Sequence, residues 1–333
     1  MEFLTLKNAN GLSAKICTVG CSIATMNVPD RDGQVRDVVL GYDNPEQYFH
    51  NTPKFGAFIG RFANRILGGT FNLDGNTYHL PITPDTPYCL HGGNPAFDAI
   101  DFEILDADYN SVTFHTTSPD GDQGFPGNLD VIVKYLLDDN DALTLLYYAT
   151  TDKPTVINFT NHSYFNLNGH DSGNIHSHVV QINASRFLQS DNTCVPTGAI
   201  LDVAGTPCDL RQECSMHLLE ENLPSELARF GGFDHIHLLD NPTGRTVDAL
   251  CFAPESGIQM TVETTEPSIG FYTANSLAPT LGKGGCTYGL HSGLCFETQH
   301  YPDSPNKPNF PSTVLRPGER YAQYTKYAFS IRD

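Results

Sequence analysis

The chain has 333 residues, of which 39% are hydrophobic and 17% charged, so it is long enough to bury a large core. Nineteen basic residues against 38 acidic ones give a net charge of −19. This balance excludes a nucleic-acid backbone or an anionic membrane surface as the expected partner, because both need clustered Lys and Arg. Neutral small-molecule ligands are favoured over strongly anionic ones.

The sequence carries no targeting or membrane-spanning pattern. Residues 1–7 have no basic region followed by an apolar run. The longest apolar stretches, such as 143–149, are far shorter than the roughly 20 residues of a membrane helix. The nine cysteines are an odd number and form no Cys-x-x-Cys pair. We therefore expect a reducing, cytoplasmic location.

Short β-branched and aromatic segments, bounded by Gly, Pro, Asn or Asp, predict strands along most of the chain. The first hairpin, 71–80, turns at Asp74-Gly75, a pair that tolerates the positive φ of a type I′ turn. Further hairpins are predicted over 100–116 and 131–150. Other predicted strands are 155–160, 178–183, 258–264, 294–298 and 323–331.

Helical patterns are sparse. One short helix is predicted at 44–49, with Asn44 as its cap and Pro45 in its first turn. Helix-forming residues also occupy 214–230, but Pro224 interrupts them. Strands do not alternate with long helices, which disfavours a doubly wound α/β fold. We predict an all-β fold, a large antiparallel β-sandwich with a few short helices, as a single domain over residues 1–333.

Several common catalytic signatures are missing: no GxSxG elbow, GxGxxG or GxxxxGK[ST] loop, or HExxH helix occurs. The histidine pairs in 176–178 and 234–237 could each share a strand face. No further ligands follow at metal spacing, so hydrogen bonding is the preferred interpretation. Segment 118–130 places Gly and Pro where a calcium loop needs oxygen ligands. It predicts a turn-rich loop, and no metal site is predicted.

Four polar clusters have no evident structural task, namely 60–66, 90–93, 158–167 and 295–303. In the first, Arg61, Asn64 and Arg65 supply donors suited to hydroxyl or carboxylate oxygens. In the second, the glycines after His91 allow a ligand to approach the backbone closely. Taken alone, either cluster also fits an ordinary turn, salt-bridged at the surface in the case of the first.

The other two clusters contain groups able to transfer protons. His162 is a potential general acid or base, because an unperturbed imidazole titrates near neutrality. Glu297 alternates with Phe296 and Thr298 along a predicted strand, so it lies off the core face or is buried with a raised pKa. A hydrogen-bonded core histidine and an exposed strand glutamate are the structural alternatives.

Together and in this order, the four clusters resemble the galactose mutarotases, or aldose 1-epimerases. Segments 121–129, 233–235, 271–275 and 316–319 share the resemblance, which covers nearly the whole chain. Its most specific parts are NHSYFNL, beginning at Asn161, and FETQHYPDSPN, beginning at Phe296.

The resemblance implies a β-sandwich with a carbohydrate cleft and no metal or organic cofactor. It implies that His162 is the catalytic acid and Glu297 the catalytic base. At Gly270 the chain departs from members that carry a Gln near the anomeric hydroxyl. The positions that match sugar-contacting residues are Asn64, Arg65, His91, Tyr164 and Asp234.

The implied activity interconverts the α and β anomers of an aldose, such as D-galactose or D-glucose, by ring opening and reclosure. We expect Glu297 to be ionised at pH 7 and Asp234 or Glu297 to keep His162 protonated. A non-catalytic sugar-binding protein or sensor is one alternative. A glycoside hydrolase using Asp234 and Glu297 is another, and an epimerase of phosphorylated sugars is disfavoured by the net charge of −19. The sequence does not distinguish a monomer from a homodimer.

Overall fold

The structure is a computed structural model that describes residues 1–220 and 223–332. Its regular secondary structure is predominantly antiparallel strand. The strands of the first half are β1 (Phe3–Lys7), β2 (Ser13–Cys17), β3 (Ser22–Pro29), β4 (Val35–Asp37), β5 (Ala57–Ile59), β6 (Arg65–Leu67), β7 (Thr70–Leu73), β8 (Asn76–His79), β9 (Tyr88–Leu90), β10 (Glu103–Ala107), β11 (Ser111–Ser118), β12 (Leu129–Leu137), β13 (Ala142–Thr151), β14 (Thr155–Val156) and β15 (Thr160–His162).

The second half continues the pattern. Its strands are β16 (Val179–Ile182), β17 (Arg186–Ser190), β18 (Pro196–Asp202), β19 (Cys214–Ser215), β20 (Asp234–Leu238), β21 (Ala249–Phe252), β22 (Ile258–Thr264), β23 (Ser268–Tyr272), β24 (Thr280–Leu281), β25 (Thr287–Tyr288), β26 (Cys295–Gln299), β27 (Val314–Leu315) and β28 (Tyr321–Ile331). Helical structure consists of α1 (Ser225–Ala228) and the 3-10 segments Pro45–His50, Phe97–Ala99, Asp122–Gly124, Met216–Leu219, Lys283–Gly285 and Ser304–Asn306.

One layer is a nine-stranded sheet with the order β10-β11-β12-β13-β28-β22-β21-β16-β19. Its strands β12 and β22 alternate strictly between buried and more exposed residues. In β12, Leu129, Val131, Val133, Tyr135 and Leu137 are buried, while the residues between them are partly or fully exposed. This period of two places one apolar face of the sheet against the core.

The other layer joins two smaller sheets. The four-stranded sheet runs β1-β2-β3-β4, and the five-stranded sheet runs β18-β17-β20-β23-β26. The chain at 164–166 connects them, since it hydrogen-bonds to 38–40 on one side and to Leu294 on the other. The pair β5–β15 lies beside this connection and is bonded to residues 20–23.

A continuous apolar core lies between the layers, and its largest cluster extends in sequence from Leu6 to Phe329. It combines Ile16 of the four-stranded sheet, Val133 of the nine-stranded sheet and Phe296 of the five-stranded sheet. The prediction of an all-β sandwich with a few short helices is confirmed. That residues 1–333 form a single domain stays a prediction. Within the described ranges, no helix is both long and apolar enough to cross a membrane.

The predicted local elements are largely confirmed. The hairpin at Asp74-Gly75 forms with both turn residues at positive φ, and the hairpins over 100–116 and 131–150 form with bounds shifted by at most three residues. The predicted strand 155–160 is instead divided between β14 and β15. The helix-forming segment 214–230 contains β19, one 3-10 turn and α1. Residues 221–222 of this segment lie outside the described residues.

Candidate active site

A cavity of about 490 Å³ lies against the second layer, and all seven predicted site residues line it. They come from β6 and the residue before it, the turn after β9, β15 and the residue two beyond it, β20 and β26. The remaining lining residues are Tyr42, His50, Thr52, Pro53, Lys54, Leu90, Tyr272, Ser276, Leu277, Ala278 and Thr280.

The five-stranded sheet fixes one wall of this cavity through its register. Asp234 of β20 lies opposite Tyr272 of β23, which lies opposite Cys295 of β26. Opposed residues share a face of the sheet, and so do residues two apart on one strand. Glu297, two residues beyond Cys295, therefore projects from the same face as Asp234 and Tyr272.

His162 and Glu297 face each other inside the cavity. His162 Nε2 and Glu297 Oε1 are 3.6 Å apart, and each residue is only 5% exposed. The separation exceeds a direct hydrogen bond, so each group is free to address a different oxygen of a bound molecule. The imidazole of His162 and the carboxyl group of Glu297 are therefore close enough to contact the same small ligand.

Tyr164 holds the His162 ring in place. The two rings stack with centroids 5.0 Å apart and planes 24° from parallel. The Tyr164 hydroxyl donates to the Pro53 carbonyl at 3.0 Å, so this hydroxyl already has a partner within the protein. The Cys295 thiol lies 3.7 Å from His162 Nδ1.

A second group of polar residues forms a linked network at the cavity wall. Arg65 pairs with Asp234 at 3.1 Å and donates to Asn64 Oδ1 at 3.2 Å. The backbone N–H of Asn64 donates to His91 Nδ1 at 3.2 Å, and the backbone N–H of His91 donates to the Asn64 backbone carbonyl at 2.9 Å. Four predicted sugar-contacting residues are thus locked together.

His91, His162 and Glu297 are also close enough to raise the question of a metal, since their ligand atoms lie within 4.8 Å of one another. However, His91 Nδ1 accepts the Asn64 N–H, so in the neutral ring the proton sits on Nε2. Nε2 then faces the cavity as a hydrogen-bond donor and has no free lone pair for a metal. This donor set suits a hydroxylated ligand better than an ion.

Burial reverses the expected ionisation of the central pair. Together with the nearby cations of Lys54 and Arg65, it lowers the pKa of His162 to about 4. Burial, reinforced by Asp234, raises the pKa of Glu297 to about 8. The expectation of an ionised Glu297 and a protonated His162 is therefore wrong for the free site, because desolvation outweighs the attraction of the neighbouring carboxylates.

Asp234 behaves in the opposite way. Burial acts to raise the pKa of this carboxyl, but the charge and hydrogen bond of Arg65 outweigh it and the pKa is lowered. For His91, burial itself lowers the pKa well below its usual value, because it disfavours the charged imidazolium. Asp234 is thus a fixed anionic acceptor and His91 a neutral ring, which suits both to hydroxyl binding.

Sequence reasoning missed several lining residues. Lys54 enters the cavity at a positive φ and pairs with Asp98 at 2.5 Å. Tyr272 lies in the segment 271–275 that carried the resemblance, so a signal for it was present. Tyr42 and Lys54 belong to loops whose packing no local pattern predicts. Gly270 lies directly opposite Glu297 and offers no side chain there.

Comparison with known proteins decides the family. The family model described as aldose 1-epimerase matches residues 2–328. The chain belongs to the aldose 1-epimerase family. Galactose mutarotase from Mus musculus is 44% identical over 325 residues, covering 96% of this chain and 92% of that protein. Aldose 1-epimerase from Escherichia coli strain K12 is 37% identical over 331 residues, covering 98% and 95%.

Solved structures of this family share the fold over the full length. An aldose epimerase homologue from C. elegans superposes with a TM-score of 0.92 at 30% identity, covering 100% of this chain and 99% of that one. Galactose 1-epimerase from Lactobacillus acidophilus gives a TM-score of 0.85 at 26% identity, with 99% and 95% covered. The family resemblance predicted from the sequence motifs is confirmed.

Proposed function

We propose that the protein is an aldose 1-epimerase that interconverts the α and β anomers of hexoses such as D-galactose and D-glucose, with Glu297 as base and His162 as acid. The observation that carries these roles is the facing pair itself, 3.6 Å apart and almost fully buried. Membership of the family supports the reaction class.

The reaction needs one proton donor and one proton acceptor. Glu297, as carboxylate, takes the proton of the anomeric hydroxyl, while His162, as imidazolium, gives its proton to the ring oxygen. The bond between C1 and the ring oxygen breaks and an aldehyde forms. Rotation about C1–C2 presents the other face of the aldehyde, and ring closure returns both protons. Each proton-transfer partner is typically worth about 10²–10⁴ in rate.

The linked network supplies the contacts to the hydroxyls that do not react. Asp234 offers an acceptor oxygen, while Arg65, the side-chain amide N–H of Asn64 and the Nε2–H of His91 offer donors. Because these groups are already fixed by bonds to one another, little ordering is needed when a sugar binds. We assign substrate binding to them and to Tyr164.

Electrostatic pairing within the site disfavours a phosphorylated substrate. Among the described lining residues, the cations are Arg65, paired with Asp234, and Lys54, paired with Asp98. A phosphate group would need unpaired positive charge. The Arg65 pairing also argues against a hydrolase in which Asp234 attacks the sugar, so no release of nitrophenol from a nitrophenyl galactoside is expected.

Polarimetry tests the proposal directly. Crystalline α-D-galactose or α-D-glucose is dissolved, and the approach to the final optical rotation is followed with and without protein. We expect the protein to accelerate that approach, and His162→Ala or Glu297→Gln to remove most of the acceleration. The matched controls are His217→Ala and Glu103→Gln, whose side chains are 62% and 70% exposed.

Two outcomes would contradict the proposal. Binding of galactose by calorimetry without any acceleration of mutarotation would favour a sugar sensor. Near-normal turnover in Glu297→Gln would refute the assignment of the base.

The compartment is a further proposal. We infer that the enzyme works in the reducing cytoplasm. All nine cysteines are free thiols, and six of them are buried. Such usage is typical of proteins that do not rely on disulfides for stability.

A further inference from the structure

The amide of Gln299 is an unexplained polar group beside the proposed base. The residue is 0% exposed, and among residues 1–220 and 223–332 neither its Nε2 nor its Oε1 has a hydrogen-bond partner. Buried polar side chains nearly always have a partner. A buried amide with both polar atoms unpaired therefore indicates a hydrogen bond that forms in another state of the site.

The location of this amide is set by a glycine. Gln299 lies two residues after Glu297 on β26, so both side chains project from the same face. Gly270 lies directly opposite Glu297 on β23. A Cβ added at Gly270 would be 2.7 Å from Gln299 Nε2 and 3.5 Å from Glu297 Cβ. The two side chains therefore converge over the space that Gly270 leaves open.

Glu297 offers the matching unpaired atom. Its Oε1 faces His162, while its Oε2 is buried and has no hydrogen-bond partner within the part of the chain that the structure describes. Gln299 is not among the residues lining the cavity. Its amide is therefore placed to reach the carboxyl group from behind and not the sugar.

We propose that Gln299 is a positioning residue whose Nε2–H donates to Glu297 Oε2 when that carboxyl group is ionised, and that Gly270 supplies the room for this bond. The inference rests on the proposed role of Glu297 as base and adds a residue to it. A donor of this kind favours the carboxylate over the acid. It also holds Oε1 toward the sugar, because the carboxyl group can no longer rotate freely.

Gln299→Met tests the bond, since it keeps the length of the side chain and removes the donor. A hydrogen bond to a charged group corresponds to about one to two pH units in a pKa. We expect the alkaline limb of the kcat/KM profile to move upward by about that amount. We also expect kcat at neutral pH to fall by about 10- to 100-fold with little change in KM, because Gln299 does not touch the sugar.

Gly270→Ala approaches the same bond from the other strand. Its new Cβ would displace the amide, so the pH limb and kcat should change in the same direction as in Gln299→Met. The matched control is Gly289→Ala, where a Cβ would meet nothing within 4 Å. The double variant Gly270→Gln, Gln299→Met places an amide directly opposite Glu297, and we expect it to recover part of the lost kcat.

An unchanged pH profile and kcat in folded Gln299→Met, with only a lower unfolding temperature, would overturn the proposal and leave a structural role. If Gln299→Met does not fold, Gly270→Ala decides the question by the same criterion. A further measurement distinguishes failure of this hydrogen bond from failure of the proposed function. The infrared carboxyl band of Glu297, identified by difference from Glu297→Gln, reports its pKa in the free protein. A shift between wild type and Gln299→Met would support the bond even without turnover, and no shift would refute it.

Discussion

His162 and Glu297 share one proton. The proposed reaction moves this proton from one residue to the other. In the free site, burial penalises both charged forms, so the neutral imidazole and the protonated carboxyl are favoured. Ring opening instead starts from imidazolium and carboxylate and ends with the neutral pair. Binding of the cyclic sugar must therefore move one proton from Glu297 to His162, and opening of the ring moves it back through the substrate.

The pH dependence of the reaction follows from the number of protons on this pair. The pKa of His162 is about 4, so below that pH the pair takes up a second proton. The pKa of Glu297 is about 8, so above that pH the pair loses its remaining proton. The one-proton form therefore exists between these values. We expect kcat/KM for α-D-galactose to be nearly constant across that range and to fall on both sides.

The profile is measured by polarimetry in overlapping buffers at constant ionic strength, with the uncatalysed rate subtracted at each pH. Circular dichroism at each pH controls for unfolding. A profile with a single limb centred near pH 6.5 would contradict the shared proton, because that is the titration of an unperturbed histidine.

Among the elements around the site, the loop between β11 and β12 is held by a single buried side chain. Arg61 is 2% exposed, and its guanidinium donates to Ser118 Oγ and to four backbone carbonyls, those of Ser118, Pro119, Pro126 and Gly127. Arg61 thus serves the backbone and does not line the cavity. The alternative of a salt-bridged surface turn is wrong for this residue.

Replacing Arg61 should destabilise the fold more than it affects the chemistry. Arg61→Met keeps much of the volume but leaves the bonded carbonyls without donors. Leaving a buried hydrogen-bonding group without its partner typically costs about 1–3 kcal/mol. We expect the free energy of unfolding in urea to fall by that order, while kcat of the folded fraction is retained.

The exposed Arg245 provides the control for that measurement, and Arg245→Met should leave stability nearly unchanged. A normal unfolding free energy in Arg61→Met would show that water replaces the guanidinium without cost.

Local signals explain which elements were predictable. The turn at Asp74-Gly75 and the pattern of the predicted hairpin 131–150 act over a few residues, and both hairpins form, the second over 129–151. Pairings such as β13 with β28 join segments far apart in the sequence, and no local pattern encodes them. The strand at 155–160 was predicted whole because its division depends on partners elsewhere, Val314–Leu315 for β14 and Ala57–Ile59 for β15.

The same distinction applies to the site. Motif resemblance placed seven residues in one cavity, and all seven line it. The ionisation of His162 and Glu297 was predicted wrongly because it depends on burial, which only the packed structure determines. Lys54 was missed for a similar reason, since its place in the cavity depends on the conformation of a loop.

At the scale of the whole molecule, a buried polar network connects the two layers of the sandwich near the site. Glu266 is 0% exposed. It accepts from the Tyr321 hydroxyl at 2.7 Å and pairs with His300 Nδ1 at 2.6 Å. Tyr321 begins β28 of the nine-stranded sheet, and His300 follows β26 of the five-stranded sheet. The strand that carries Glu297 is therefore connected to β28 of the opposite layer through Glu266, by an ion pair with His300 and a hydrogen bond from Tyr321.

This ion pair makes stability depend on pH in a definite direction. Burial acts to lower the pKa of His300, but the carboxylate of Glu266 outweighs it and the pKa is raised above 6.5. A raised pKa in the folded state contributes stability that is fully present below the unfolded value and is lost as the pH rises through the folded value. We therefore expect the free energy of unfolding to fall as the pH rises above neutrality.

Urea unfolding of wild type and His300→Gln at pH values from 6 to 9 tests this dependence. His300→Gln should be less stable at pH 6, because Glu266 loses its cationic partner, and its stability should vary less with pH across the range. The exposed His217 provides the control, and His217→Ala should follow the wild-type curve. If His300→Gln showed the full wild-type dependence on pH, the proton that links the layers would belong to another residue.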